Sequence, residues 1–195
     1  MTRLPQLPPD QLSAEQRAVY DAIVGGKRSS GPQLFDLTAP DGSLYGPFNA
    51  MLVNPALGGT FQRVGEILRY ESSLSTRVRE LVILVVAQAW RCEFEWYAHS
   101  KIARHAGMPE NVLAALHRGD RPDEVSGPEA TAYDVCRALL RDRTVDDELY
   151  ASATDEFGDR GVAELVFLFG YYTSVAAALN TFAVALPPGA ESAFD

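Results

Sequence analysis

Cysteine is scarce in this 195-residue chain, with only Cys92 and Cys136, far apart. Two distant thiols cannot build a disulfide framework, and the chain opens Met-Thr-Arg-Leu-Pro without a charged and apolar leader, so a reducing cytoplasm is the expected setting. Positive charge is also thin. Lys27 and Lys101 are the only lysines, and 17 basic against 26 acidic residues leave a net charge of -9, which opposes extended contact with nucleic-acid phosphates or anionic lipid. No alternating apolar run of strand type stands out, which argues against a sheet. Hydrophobic residues make up 47% of the chain, enough for one substantial core and too many for a disordered chain.

One long apolar run needs an explanation. Leu165 to Leu186 carries no charge and is long enough to span a bilayer. It also contains Tyr171, Tyr172, Ser174 and Asn180, and lacks closely flanking basic residues on its C-terminal side. We read it as a helix buried in a soluble protein or in a subunit interface, with no membrane partner.

The remaining pattern is helical. Residues 1 to 12 are proline-rich and read as an extended arm, followed by a helix from Ala14 to Val24 capped by Ser13, with Val19, Tyr20 and Ile23 as its apolar stripe. From Gly25 to Pro47, breakers such as Gly25-Gly26, Gly31-Pro32 and Gly46-Pro47 mark a long loop, whose aromatic and aliphatic residues argue for a binding role over disorder. Helical periodicity then covers 56–70, 76–90, 92–106, 109–118, 128–141, 145–157 and 162–184. The expected fold is all-α, divided into an N-terminal arm, first helix and loop at 1–46, a helical domain at 47–187, and a tail at 188–195. Val78 to Leu84 and Val162 to Leu168 agree at five of seven positions, which suggests a repeated helical hairpin; an 84-residue shift sets Ala176 opposite Cys92 and Ala183 opposite His99.

Chemistry concentrates after the Trp90-Arg91 break. Cys92, Glu95 and His99 are spaced i, i+3 and i+7, within about 60° on one helix face. Glu95 and His99 form an i, i+4 pair in which the carboxylate would orient the imidazole for proton transfer; the alternative is an ordinary surface ion pair. Glu80, flanked by Arg77 and Arg79, faces Ile83, Leu84 and Ala87, where apolar surroundings would favour its protonated form. In a simple hairpin it would reach the far end and not His99, unless the second helix crosses steeply or another subunit closes the site; spacing leaves this open. Cys92 sits at a helix start next to Arg91, which favours a thiolate, while Glu93 and Glu95 oppose it; it reads equally as a small core residue. His105 and His117 are assigned no chemistry, and no metal site is expected, for want of a third and fourth ligand.

The run Arg79-Glu80-Leu81-Val82-Ile83-Leu84, then Cys92-Glu93-Phe94-Glu95-Trp96-Tyr97-Ala98-His99, then Ala106-Gly107-Met108-Pro109, resembles the carboxymuconolactone decarboxylase and alkylhydroperoxidase D-like superfamily. The resemblance spans residues 47 to 187. It implies an all-helical domain assembled as a trimeric or hexameric homo-oligomer with sites near subunit interfaces, a small-molecule substrate and no organic cofactor. The peroxidase branch carries a glutamate, then C-x-x-C, then histidine; Glu80, Cys92 and His99 match, while Glu95 replaces the second cysteine, and a carboxylate cannot form the disulfide which that chemistry needs. The decarboxylase branch needs no thiol. The resemblance therefore implies a lyase acting on a small lactone or carboxylated substrate, with His99 moving the proton, Glu95 tuning it and Glu80 a second carrier. Trp96, Tyr45 and Phe48 would form the wall, and Arg79 or Arg69 would hold a substrate carboxylate. A thiol-dependent hydroperoxide reductase using Cys92 is the alternative.

Overall fold

A computed structural model describes residues 2–30 and 32–194, so Gly31 of the Gly31-Pro32 breaker lies outside it. Among the described residues there are eight α-helices and no strand: α1 Ala14–Val24, α2 Pro47–Val53, α3 Pro55–Tyr70, α4 Thr76–Ala89, α5 Glu93–His105, α6 Glu110–Arg118, α7 Pro128–Asp142 and α8 Asp147–Thr181. Side chains start several of them. Ser13 and Gln16 form a capping box on α1, and Asn54, Ser75 and Asp146 accept from the first free backbone N–H groups of α3, α4 and α8.

The core forms around α4. Its residues Leu81 to Ala87 are all buried, because α5, α7 and α8 pack on it from different sides. A second apolar cluster joins Ile23 of α1 to Leu52 of α2 and to Leu44 of the preceding loop. The loop is ordered by an isolated antiparallel bridge between Thr38 and Leu44 and by its buried apolar side chains. The N-terminal arm lies along the end of α8, where Arg3 donates its backbone N–H to the Phe182 carbonyl at 2.8 Å.

Two features depart from the sequence reading and one bears it out. The stretch 47–53 is the helix α2, separated from α3 by the single residue Asn54, so the Gly46-Pro47 breaker starts a helix. The expected break at Gly158 is present: its φ of 64° is not helical, and the parts of α8 before and after it are two helices meeting at a kink. The repeat does not extend to a second hairpin: Val175 and Ala176, which the 84-residue shift sets at the α4–α5 turn, lie inside α8. The uncharged run is long and apolar enough to cross a membrane by length and composition, yet Leu165, Leu168, Tyr172 and Ala176 are packed in the core.

Candidate active site

The α4–α5 connection is only Trp90 to Cys92, so the two helices turn back on each other. Counted from that turn, Glu80 lies about three residues farther along α4 than His99 does along α5, an axial offset of about 5 Å at 1.5 Å per residue, which a glutamate side chain spans. The observed contact follows: His99 Nδ1 lies 2.6 Å from Glu80 Oε2, with His99 6% and Glu80 2% exposed. Glu80 thus reaches His99 within one chain, a point that spacing had left open. With a carboxylate as acceptor, Nδ1–H donates, and Nε2 is left without a protein partner. The Tyr172 ring stands edge-on to the imidazole, 5.0 Å between centroids, and restricts its tilt.

Glu95 does not orient His99. It is 2% exposed and neither carboxylate oxygen has a hydrogen-bond partner. Burial, and then the charge of Glu80, push its pKa well above the ordinary carboxylate value, so it persists as a neutral carboxylic acid. Glu95 and His99 both line a cavity of about 40 Å³ together with Tyr171, Tyr172 and Phe94. Since a water needs on the order of 10–15 Å³, the space holds about three waters. Burial also pushes the Tyr171 phenol up to about 12, so it too remains protonated.

The other expected site residues divide. Phe48 lines this cavity. Arg79 does not; it lines an adjoining cavity of about 270 Å³ together with Glu80, and its guanidinium is held by the Leu74 carbonyl and Thr76 Oγ1. His105, given no role from sequence, lines the same adjoining cavity. Trp96 points away from both, packed against His117 and Phe194 of the C-terminal tail, because the position after Glu95 lies about 100° around α5. Tyr45 borders a separate cavity with Asn49 and Val184. Cys92 is fully buried at the N-cap of α5 and lines neither of these two cavities; burial, and then Glu95, push its thiol up to about 12, outweighing the helix terminus that favours a thiolate.

Among the lining residues that escaped the sequence reading are Arg28, Phe35, Tyr171 and Tyr172. Arg28 and Phe35 come from the irregular segment before α2, where no periodicity marks a facing side. The tyrosine pair, however, was a readable signal, being two hydroxyls inside a run otherwise rich in aliphatic residues. Tyr171 reaches the site because α3 carries Gly65 there: a Cβ at that position would lie 2.2 Å from the Tyr171 hydroxyl oxygen. Arg69, the alternative to Arg79 for a substrate carboxylate, lines both cavities.

The chain matches the model of the carboxymuconolactone decarboxylase family over residues 55–138, which span α3 to most of α7. Among solved structures it is similar to an uncharacterized peroxidase-related protein from Ralstonia eutropha JMP134, described as an alkylhydroperoxidase AhpD core, with a TM-score of 0.75 and 14% identity over 96% of this chain and 93% of that one. A peroxidase-related protein from Silicibacter sp. TM1040 gives a TM-score of 0.71 at 17% identity, covering 96% and 92%. The debrominase Bmp8 in complex with 2,3,4-tribromopyrrole gives 0.71 at 13% identity, covering 96% and 93%. No curated protein matches by sequence. The family match thus covers the helices that carry Glu80, Glu95 and His99, and the all-helical fold is shared with these structures over nearly the whole chain.

Proposed function

We propose that the chain is a cofactor-independent lyase that moves protons at a small lactone or carboxylated substrate. The observation that carries this reading is that His99, held by Glu80 at 2.6 Å, lines one small cavity together with Glu95, a buried glutamic acid with no protein partner. The geometry exchanges the roles expected of the carboxylates. Glu80 orients and polarises His99, leaving Nε2 to accept or deliver a proton, and Glu95 is a second proton donor. In a decarboxylation the carbon–carboxylate bond breaks, carbon dioxide leaves, and the electron pair spreads into the adjacent unsaturated system. The carbon then takes a proton from Glu95 or His99, which solvent restores on product release. A space for about three waters limits competing protonation from bulk solvent.

Hydroperoxide reduction by Cys92 is the weaker reading. It needs an accessible thiolate, whereas Cys92 is fully buried with its thiol pushed up to about 12.

The test is carbon dioxide release from a panel of lactone acids, run beside a hydroperoxide assay with excess dithiol. His99→Ala and Glu95→Gln should each lower lyase turnover by about 10²- to 10⁴-fold, the usual contribution of a positioned acid or base. Cys92→Ser should leave it within a few-fold. Undiminished turnover in His99→Ala would remove the proposal, and peroxide turnover lost in Cys92→Ser would establish the alternative.

A further inference from the structure

The inner cavity beside His99 and the larger one beside Arg79 share four lining residues: Arg28, Phe35, Phe48 and Arg69. Two guanidinium groups and two phenyl rings therefore form the wall between the chambers. Arg28 is 9% exposed, and its polar partners are neutral: Nη1 donates to Gln62 Oε1 and Nη2 to the Gln62 carbonyl, both at 2.8 Å, while Tyr171 supplies a hydroxyl. The guanidinium lies 5.3 Å from the Phe48 ring centroid. Arg69, partly buried, lies over the Tyr70 ring at 5.3 Å. Neither arginine forms an ion pair with a carboxylate among the described residues.

Burying a cation without a counter-ion is costly, and proteins normally neutralise it with an acid. The acids of the site are otherwise engaged: Glu80, whose charge also reaches Arg69, holds His99 through Oε2, and Glu95 is set among groups that leave it unpaired, so Arg28 is the arginine without an acid beside it. The other arginine of the outer chamber, Arg79, is tied to its own helix start. What remains is a pair of planar, multiply donating cations beside aromatic faces. That combination matches a flat carboxylate better than a neutral ligand or a compact cation. The volumes agree, because the inner space takes only a few waters whereas about 270 Å³ in the outer chamber admits the body of a small organic acid.

We propose that Arg28 and Arg69 form an anion clamp between the two chambers, seating the carboxylate of a small unsaturated acid whose body lies in the outer chamber. Arg28 is then a specificity residue supplied from outside the family-matched region 55–138. The proposal deepens the lyase reading and rests on it for the identity of the site, although binding at the clamp is measured without turnover. It separates acids from their neutral isosteres, a choice that His99 and Glu95 alone do not impose.

The test titrates the full-length protein with benzoate and with benzamide, its neutral isostere, by isothermal titration calorimetry. Benzoate should bind at least about tenfold more tightly than benzamide, the scale of one charge-assisted contact. Arg69→Gln and Arg28→Gln should each weaken benzoate about tenfold and leave benzamide unchanged. Because Arg28 is buried, Arg28→Lys provides the variant that keeps the charge but loses the fork; intermediate benzoate affinity is expected. Benzoate binding is read without turnover, so a failed lyase reading leaves the clamp measurable. Equal affinity for the two probes, no binding of either, or benzoate affinity insensitive to the Arg69 and Arg28→Lys changes would overturn the proposal. Lyase turnover on neutral lactones that ignores Arg69→Gln would defeat the clamp while sparing the proton-transfer reading.

Discussion

A carboxyl group that loses water without gaining a donor holds its proton in the folded state and releases it on unfolding, and Glu95 is placed in that way. Its folded pKa lies well above the ordinary 4.5, so between those values the folded chain binds one more proton than the unfolded chain. The stabilisation is complete below pH 4.5 and is lost as pH rises through the folded value, with a slope of about 1.4 kcal/mol per pH unit from this one group. Glu95→Gln removes the proton and keeps the shape. Urea unfolding across about pH 5 to 8 should therefore show a stability gap that moves in favour of the variant as pH rises; parallel curves would mean that Glu95 ionises normally in the fold. The sequence displays half of this arrangement. Glu95 and His99 share a helix face, so their convergence on one volume is legible from spacing, but which carboxylate touches the imidazole depends on how α4 lies against α5. Arg28 was illegible for a simpler reason: its partners Gln62 and Phe48 lie on α3 and α2, brought to it only by the packing of an irregular segment.

Helices read well wherever apolar periodicity and a cap agree, as at Ser13 and Ser75, and less well where a breaker has two meanings. Pro47 can end an element or start one; here it fills the first turn of α2, where its missing N–H is no loss. Connections between helices are set by contacts that periodicity cannot show. The α3–α4 turn is fastened to α8 by Glu164, which accepts from Ser72 Oγ at 2.8 Å and from the Ser73 N–H at 2.7 Å and pairs with Arg160 at 2.8 Å. Partial burial disfavours its charge, but Arg160 and the serine donors outweigh that and hold the carboxyl down to about 2. The sign is opposite to that of Glu95: this stabilisation is present above pH 4.5 and is lost as pH falls toward 2. Glu164→Gln should accordingly lower the urea midpoint at about pH 6 and lose most of that difference near pH 2. A deficit that persists at low pH would assign the effect to packing instead of charge.

At the scale of the whole molecule, the apolar surface is unevenly spent. Leu57, Val64 and Ile67 stand exposed along one side of α3, and Val166 and Phe167 stand exposed on α8, which packs beside α3. Phe167 is 68% and Leu57 66% exposed. Leu57, Val64 and Ile67 fall at helical spacing, so they form a stripe on one face of α3, and contiguous exposed stripes are uncommon on proteins that remain monomeric. With a net charge of -9, copies of the chain repel at long range, so association requires a surface that is both apolar and uncharged. The expected homo-oligomer fits a second copy meeting the first across α3 and α8, where closed symmetry would cover the same patch on both partners. Light scattering behind size exclusion should then find a multiple of 21.3 kDa for the parent chain. Phe167→Glu should shift the mass to 21.3 kDa while the far-ultraviolet helical signal persists. An oligomer that survives this substitution would move the interface elsewhere, and a monomeric parent would leave the exposed face of α3 and α8 without a second copy to cover it.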